Sequence, residues 1–151
     1  MTAEALQAQL LARGETICCA ESLTGGALAA LLSETPGASQ VFVGGVVSYA
    51  TRVKRSVLGV TTQQVVSAEC ATQMASGVRE LLGADWALST TGVAGPDSQD
   101  GQPVGTVFVG IANAEGSRAL RLTLHGTREE IRAATCQAAV SELSAFLALP
   151  R

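Results

Sequence analysis

Residues that can do chemistry follow a short apolar segment near the start of the chain. The run over residues 16–20 indicates a buried strand, and Glu21 and Ser22 come directly after it. Three small residues follow, Thr24, Gly25 and Gly26, and after them comes an alanine- and leucine-rich stretch of high helix propensity. Such a junction places polar side chains at the carboxyl end of a strand and directs backbone N–H groups at a ligand, although an ordinary N-cap at Ser22 explains the stretch equally well.

Two further predicted strands also end in polar residues. Segment 40–50 ends near Tyr49, and strand 85–91 ends at Thr91, just before a glycine-rich turn that begins at Gly92. Sites in open sheets gather outside the carboxyl ends of parallel strands, so one crevice is expected to collect several of these groups together with the lysine of a short helix over 51–58. The expected catalytic set is Ser22, Tyr49, Lys54 and Thr91.

Each member of this set has a chemical role that suits its residue type. Ser22 is an unactivated hydroxyl and needs a base. Lys54 is the single lysine among ten basic residues, and a desolvated lysine can act as a base once its pKa falls toward neutral. Tyr49 can relay the proton or orient the amine, and the backbone at Thr91 and Gly92 can donate to an oxyanion.

Two other ionisable residues are alternatives for proton transfer. His125, the only histidine, would replace Lys54 as the base if it lay beside Ser22 in a serine–histidine–acid arrangement. A lone histidine at a strand end is more often structural or exposed. Glu21 can serve as a general acid, but a glutamate at a strand end more often binds backbone amides.

A second cluster of charge opens the predicted last helix. Arg128 stands in its first turn and Arg132 lies four residues on, along the same face. With the N–H groups of the helix start, these guanidinium groups can bind a phosphate or carboxylate. Ion pairs with Glu129 or Glu130 are the competing interpretation.

Composition and charge narrow the class of protein. The chain has 151 residues, of which 47% are hydrophobic and 15% are charged, and its net charge is -3 without a basic stripe, so nucleic-acid binding is disfavoured. No apolar run is long enough for a membrane span, and the first residues do not resemble a signal peptide. The four cysteines lack metal-ligand spacing. We therefore expect a cytoplasmic protein that uses neither a metal nor another cofactor.

The remaining segments must position these groups. Further helices are predicted over 1–13, 23–33 and 68–82 and from Thr127 onward, where a capping box begins. A hairpin is predicted from strands 104–113 and 117–124. Early alternation of strands and helices followed by a hairpin predicts a single α/β domain over residues 1–151, with a mixed sheet flanked by helices on its faces.

The ordered motifs together resemble the CinA C-terminal-domain family. They are Ala20-Glu21-Ser22-Leu23-Thr24-Gly25-Gly26, Val47-Ser48-Tyr49 with Lys54, Leu58-Gly59-Val60, Thr91-Gly92-Val93-Ala94-Gly95-Pro96, Gly105-Thr106-Val107, and the spacing of Arg128, Arg132 and Thr135. The resemblance implies a compact α/β fold, a homodimer, and cleavage of the carboxamide of nicotinamide mononucleotide to nicotinate mononucleotide and ammonia. It places the nucleophile on Ser22, the lysine on Lys54, the tyrosine on Tyr49 and the threonine on Thr91.

The substrate-binding residues are predicted from the motifs and the resemblance together. The resemblance favours Arg132 over Arg128 for the substrate's phosphate. The full predicted set is Glu21, Thr24, Gly25, Gly26, Gly92, Arg128 and Arg132. Two other functions use the same residues: a non-catalytic module, linked to competence, that binds a nucleotide or a partner, and an amidase or esterase for a different small substrate.

Overall fold

The computed structural model describes residues 1–150 as alternating helices and strands. The strands are β1 (Ile17–Glu21), β2 (Phe42–Val47), β3 (Trp86–Gly92), β4 (Thr106–Asn113) and β5 (Gly116–Thr123). The helices are α1 (Ala3–Arg13), α2 (Ala27–Leu32), α3 (Thr51–Leu58), α4 (Ala68–Leu82) and α5 (Arg128–Leu147), and a 3-10 turn covers Ala38–Gln40.

The strands form one five-stranded mixed sheet in the order β2-β1-β3-β4-β5. β1 runs parallel to both β2 and β3, whereas β4 and β5 are antiparallel to their neighbours. The expected α/β fold with a mixed sheet is confirmed. At the end of β1, Glu21 pairs with Val47 on one side and Thr90 on the other, so the carboxyl ends of three parallel strands lie at one edge of the sheet.

Helices cover both faces of this sheet. On one face, α1, α2 and α5 pack over a core that includes Leu28, Leu88 and Leu143. On the other face, α3 and α4 bury Met74 and Val78 against the small side chains of β1 and β3. Because the chain alternates sides along a strand, consecutive residues at the end of β1 face different helices.

The first helix after β1 is shorter than predicted. α2 begins at Ala27 rather than at residue 23, because Gly25 and Gly26 adopt the left-handed region with φ of 55° and 108°. The predicted strand 40–50 is also shorter, since residues 38–40 form the 3-10 turn. The residues lost from the predicted helix form the turn that carries Ser22.

The last helix begins where the capping box was predicted. The Thr127 hydroxyl accepts from Glu130 N at 3.2 Å, and the Glu130 carboxylate accepts from Thr127 N at 3.2 Å. This start places Arg128 and Arg132 near the carboxyl end of β1. Over residues 1–150, neither this helix nor any other combines the length and apolarity needed to cross a bilayer.

Candidate functional site

Ser22 and Lys54 meet at the end of β1. The backbone N–H of Ser22 donates to Thr90 O at 3.0 Å, which fixes the residue just beyond the strand. Lys54 lies in the short helix α3, and its side chain is 2% exposed. Its Nζ is 2.9 Å from Ser22 Oγ, so the hydroxyl and the amine are in hydrogen-bond contact.

The other partners of the Lys54 amine are backbone carbonyls. Nζ donates to Ser48 O at 2.7 Å and to Tyr49 O at 3.1 Å. Three acceptors suit the three N–H donors of an ammonium; in the neutral amine, the two N–H groups would serve the carbonyls and the lone pair would accept from the Ser22 hydroxyl. Burial lowers the pKa of Lys54, and the neighbouring Cys70 and Asp100 partly oppose that shift.

A cavity of about 370 Å³ opens beside this pair. Its wall is formed mainly by the loop that follows β3, from Val93 to Gln99. Ser22, Tyr49, Gly92 and Arg128 also line it. A larger cavity of about 620 Å³ lies at the opposite end of the sheet around Trp86, and it contains neither Ser22 nor Lys54. The smaller cavity, which Ser22 lines, is therefore the candidate site.

Tyr49 and Arg128 form the outer rim of this cavity. Arg128 Nη1 donates to Gly95 O at 2.6 Å, and its Nη2 donates to the Tyr49 hydroxyl at 2.8 Å. The Tyr49 side chain is 57% exposed, and the contact of this residue with Lys54 is made by its carbonyl oxygen. The tyrosine hydroxyl therefore contacts Arg128 rather than the lysine amine, so the geometry fits the predicted orientation of the amine, made here by the carbonyl, and not a proton relay.

Arg132 lies behind the turn instead of in the cavity wall. Its Nε donates to Leu23 O at 2.9 Å, and its Nη2 donates to Thr24 O at 2.9 Å. These bonds hold the turn after β1 from the side of α5. Of the two arginines predicted for the substrate's phosphate, Arg128 is the one that lines the cavity, whereas the family resemblance favours Arg132.

Glu21 is also directed away from the cavity. It is fully buried, and its carboxylate oxygens accept from Leu28 N at 2.7 Å and Ala29 N at 3.1 Å, at the start of α2. Gly25 and Gly26 shape the turn and are not among the residues that line the cavity. These three residues therefore belong to the scaffold that shapes the site rather than to the cavity wall.

The hydroxyls of Thr24 and Thr91, the two threonines of the predicted set, are buried, and each has its own hydrogen-bond partner. Thr24 Oγ1 lies 2.8 Å from Thr90 Oγ1, and Thr91 Oγ1 donates to Val65 O at 2.5 Å. Neither side chain lines the cavity, so a direct catalytic role for the Thr91 hydroxyl is not supported. Gly92 does line it, and a Cβ at that position would approach Thr106 O to 2.7 Å.

The alternative base is remote from the nucleophile. His125 is exposed and follows β5, which is separated from β1 by β3 and β4. Lys54 contacts Ser22 directly, so the lysine is the base that the geometry favours.

Comparison with protein families matches the CinA C-terminal domain model to residues 1–147. The chain belongs to this family. Its curated relatives include a CinA-like protein from Frankia casuarinae, 48% identical over 128 residues, and a putative competence-damage inducible protein from a Geobacillus species, 49% identical over 129 residues. Each match covers 82% of this chain but only 30% and 31% of the relative, so the chain spans about a third of their length.

Solved structures of family members share the whole fold. The competence damage-inducible protein A of Klebsiella pneumoniae is 34% identical, with a TM-score of 0.91 and 100% coverage of both chains. The competence or damage-inducible protein of Enterobacter asburiae is 26% identical, with a TM-score of 0.93 and coverage of 97% of this chain and 96% of its own. The α/β architecture described above is therefore the architecture of the CinA C-terminal domain.

Sequence reasoning missed the groups that hold the amine and the cavity loop. The carbonyls of Ser48 and Tyr49 carry no side-chain signal, so no residue pattern could have indicated them. Asp100, in the polar loop that follows Pro96, accepts a hydrogen bond from the backbone of Val65. The dipeptide Asp100-Gly101 is a turn signal that could have predicted its place at a loop tip.

Proposed function

We propose that this domain is an amidohydrolase that cleaves the carboxamide of nicotinamide mononucleotide to nicotinate mononucleotide and ammonia. The observation that supports it best is the environment of Lys54, a buried amine bonded to two carbonyls and one serine hydroxyl. With both N–H groups held by the carbonyls, the lone pair of the neutral amine is left to accept the Ser22 proton. The family resemblance supplies the substrate.

Acylation begins at Ser22. As its Oγ bonds to the carboxamide carbon, its proton passes to Lys54 Nζ. The resulting ammonium then gives this proton to the amide nitrogen, the carbon–nitrogen bond breaks, and ammonia leaves. A nicotinoyl ester remains on Ser22, and Lys54 is neutral again.

Deacylation uses the same amine in the same two roles. Water bonds to the ester carbon while Lys54 takes one of its protons. The ester bond to Ser22 then breaks, and Lys54 returns the proton to the serine oxygen. The product is nicotinate mononucleotide, and the site regains its starting protonation.

The backbone N–H of Gly92 is our candidate for the oxyanion donor. Val93 N donates to Thr106 O at 2.9 Å, toward β4. Since successive N–H groups on a strand are directed to opposite sides, the Gly92 N–H is directed toward the end of β1 and Ser22. A glycine is required there by the close approach of β4. This donor would stabilise the charge that develops on the carbonyl oxygen.

Arg128 is our candidate for the phosphate of the substrate. Two of its N–H groups are used by Gly95 O and the Tyr49 hydroxyl, so other donors of its guanidinium group are available to an anion in the cavity. Arg128 and Ser22 line the same cavity, so one mononucleotide could contact both.

An ammonia-release assay on nicotinamide mononucleotide tests the proposal. The wild-type domain should release ammonia in metal-free buffer, and Ser22→Ala should reduce kcat/KM by roughly 10³- to 10⁴-fold. Ser56→Ala, which changes an exposed serine of α3, is the matched control and should retain wild-type activity. Nucleotide binding by calorimetry without ammonia release would instead favour the non-catalytic module.

Assembly and location stay predictions. The homodimer implied by the family resemblance is tested by light scattering of the purified chain. The four cysteines, all within residues 1–150, are free and buried, and the cytoplasmic setting that cysteine usage favours is tested by fractionation.

A further inference from the structure

The cavity loop ends in a tight turn at Asp100. Gln99 N donates to Gln102 O at 3.2 Å, and Gln102 N donates to Gln99 O at 2.8 Å. Between them, Asp100 and Gly101 both adopt the left-handed region, with φ of 51° and 72°. This is the geometry of a two-residue hairpin turn that favours Asp-Gly. The turn holds Asp100 at the tip of the loop.

The carboxylate of Asp100 fastens this tip to the segment before α4. Its Oδ2 accepts from Val65 N at 3.2 Å, while Val65 O accepts from the Thr91 hydroxyl. The backbone of the buried Val65 is therefore bonded to both ends of the stretch that contains the cavity loop: β3 on one side and the loop tip on the other. Residues 93–99, which form most of the cavity wall, lie between these two attachments.

Asp100 also places a negative charge near the buried amine. Among the described residues, the titratable groups that act on Lys54 are the thiol of Cys70, from α4, and the carboxylate of Asp100, from the loop. Burial raises the pKa of Cys70 to about 11, so the thiol carries no charge near neutral pH. The Asp100 carboxylate is then the charge that opposes the effect of burial on Lys54.

We propose that Asp100 is a positioning residue for the Ser22–Lys54 pair, which fastens the cavity wall to Val65 and sets the charge that the lysine amine faces. The inference rests on the proposed function, because it assigns Asp100 a part in that reaction. Asp100 acts in two ways: its charge affects the Lys54 amine, and its bond to Val65 attaches the loop. One substitution distinguishes the charge effect from the attachment effect. Asp100→Asn removes the charge but retains an oxygen acceptor and a residue type that tolerates the left-handed region.

The charge effect can be measured directly on Lys54, because it is the only lysine in the chain. Protein labelled with ¹³C-lysine gives a single side-chain resonance whose titration reports this amine without substrate. In Asp100→Asn the titration should move to lower pH, and kcat/KM on the acid side of the pH profile should rise roughly 2- to 5-fold, the size expected for an exposed charge. Glu115→Gln removes an exposed carboxylate at the other end of the sheet and should change neither.

The attachment effect can be measured at Val65. Asp100→Ala should increase the hydrogen-exchange rate of the Val65 amide roughly 10-fold and raise KM, whereas Asp100→Asn should leave both near the wild-type values. An unchanged lysine titration in Asp100→Asn, or an unchanged Val65 exchange rate in Asp100→Ala, would overturn the inference. Neither measurement needs turnover, so a wild-type domain that releases no ammonia would count against the proposed function alone.

Discussion

Two buried ionisable side chains, Glu21 and Lys54, lie at the same end of the sheet but in opposite kinds of surroundings. Glu21 is 0% exposed, and its two oxygens meet two backbone N–H groups of α2. Lys54 is 2% exposed, and its amine meets two carbonyls and the hydroxyl of Ser22. Each acceptor of the glutamate has a donor, whereas no carboxylate within residues 1–150 is hydrogen-bonded to the lysine amine.

The difference separates a scaffold residue from a chemical one. The bonds of Glu21 are complete without a ligand and tie β1 to α2. Lys54 is buried at a cost that favours its neutral form, and it contacts a hydroxyl that lines the cavity. A buried group with a perturbed pKa beside a potential nucleophile is a functional candidate. Substitution of Glu21 should therefore mainly lower stability, whereas substitution of Lys54 should mainly lower activity.

Replacement of Lys54 is expected to have the largest effect on activity. Lys54→Met keeps the apolar stem but removes the amine, so ammonia release should fall roughly 10³- to 10⁴-fold, as when one member of a catalytic unit is lost. Lys54→Arg should be similarly inactive, because a guanidinium group does not release a proton at neutral pH. Substantial turnover in either variant would contradict the role of Lys54 as the base.

The same variant tests the lowered pKa of Lys54 through stability. The unfolded state binds a proton at this residue up to about pH 10.5, whereas the folded state releases it earlier. The free energy of unfolding of the wild type, relative to Lys54→Met, should therefore increase as pH rises toward that value, by at most about 1.4 kcal/mol per pH unit. Urea titrations of both proteins at several pH values measure this difference.

Glu21→Gln should have the next largest effect, and mainly on stability. The amide has nearly the same shape, but its NH₂ group would face one of the α2 N–H groups, so the free energy of unfolding should fall by about 1 to 3 kcal/mol. Turnover by the folded protein should remain within about 10-fold of wild type. Ser22→Ala should show the reverse: a change in stability of about 0.5 kcal/mol or less, and nearly complete loss of activity.

Much of this arrangement could be predicted from the sequence because it depends on local patterns. Apolar runs that end in polar residues predict where the strands stop, and the short helix after Tyr49 returns Lys54 to the same edge. The carboxyl ends of parallel strands then bring Ser22 and Lys54 together without knowledge of any distant contact.

The sequence is least informative about which side of an element faces the cavity. Arg128 and Arg132 share a helix face, and only the carbonyls of Leu23 and Thr24 decide which one is engaged by the turn. Thr91 and Gly92 are adjacent on a strand and therefore face opposite sides of the sheet. Only the position of Val65 shows where the Thr91 hydroxyl is directed. Such contacts link residues far apart in the chain, and spacing alone does not reveal them.

Substitution of Arg128 should weaken binding of the substrate's phosphate, whereas substitution of Arg132 should not act through that phosphate. Arg128→Ala should raise KM for nicotinamide mononucleotide roughly 10- to 100-fold, as expected for loss of a charged hydrogen bond to phosphate, and should change KM little for the same substrate without its phosphate. Arg132→Ala should instead lower stability, because the carbonyls of Leu23 and Thr24 lose their donors. Equal effects of Arg128→Ala on the two substrates would remove the assignment of the phosphate to this residue.

Thr91→Val should have the smallest effect, and it tests the structural role that the bond to Val65 O gives the Thr91 hydroxyl. Valine has the same shape, so the variant loses only the bond to Val65 O, and the free energy of unfolding should fall by about 1 kcal/mol. Thr90→Val, which removes the hydroxyl paired with Thr24, is the matched control and should be destabilised by a similar amount. Because neither hydroxyl lines the cavity, kcat/KM should fall less than about 10-fold in both. A selective loss of several hundredfold in Thr91→Val would show that this hydroxyl takes part in the reaction and reorients when substrate binds.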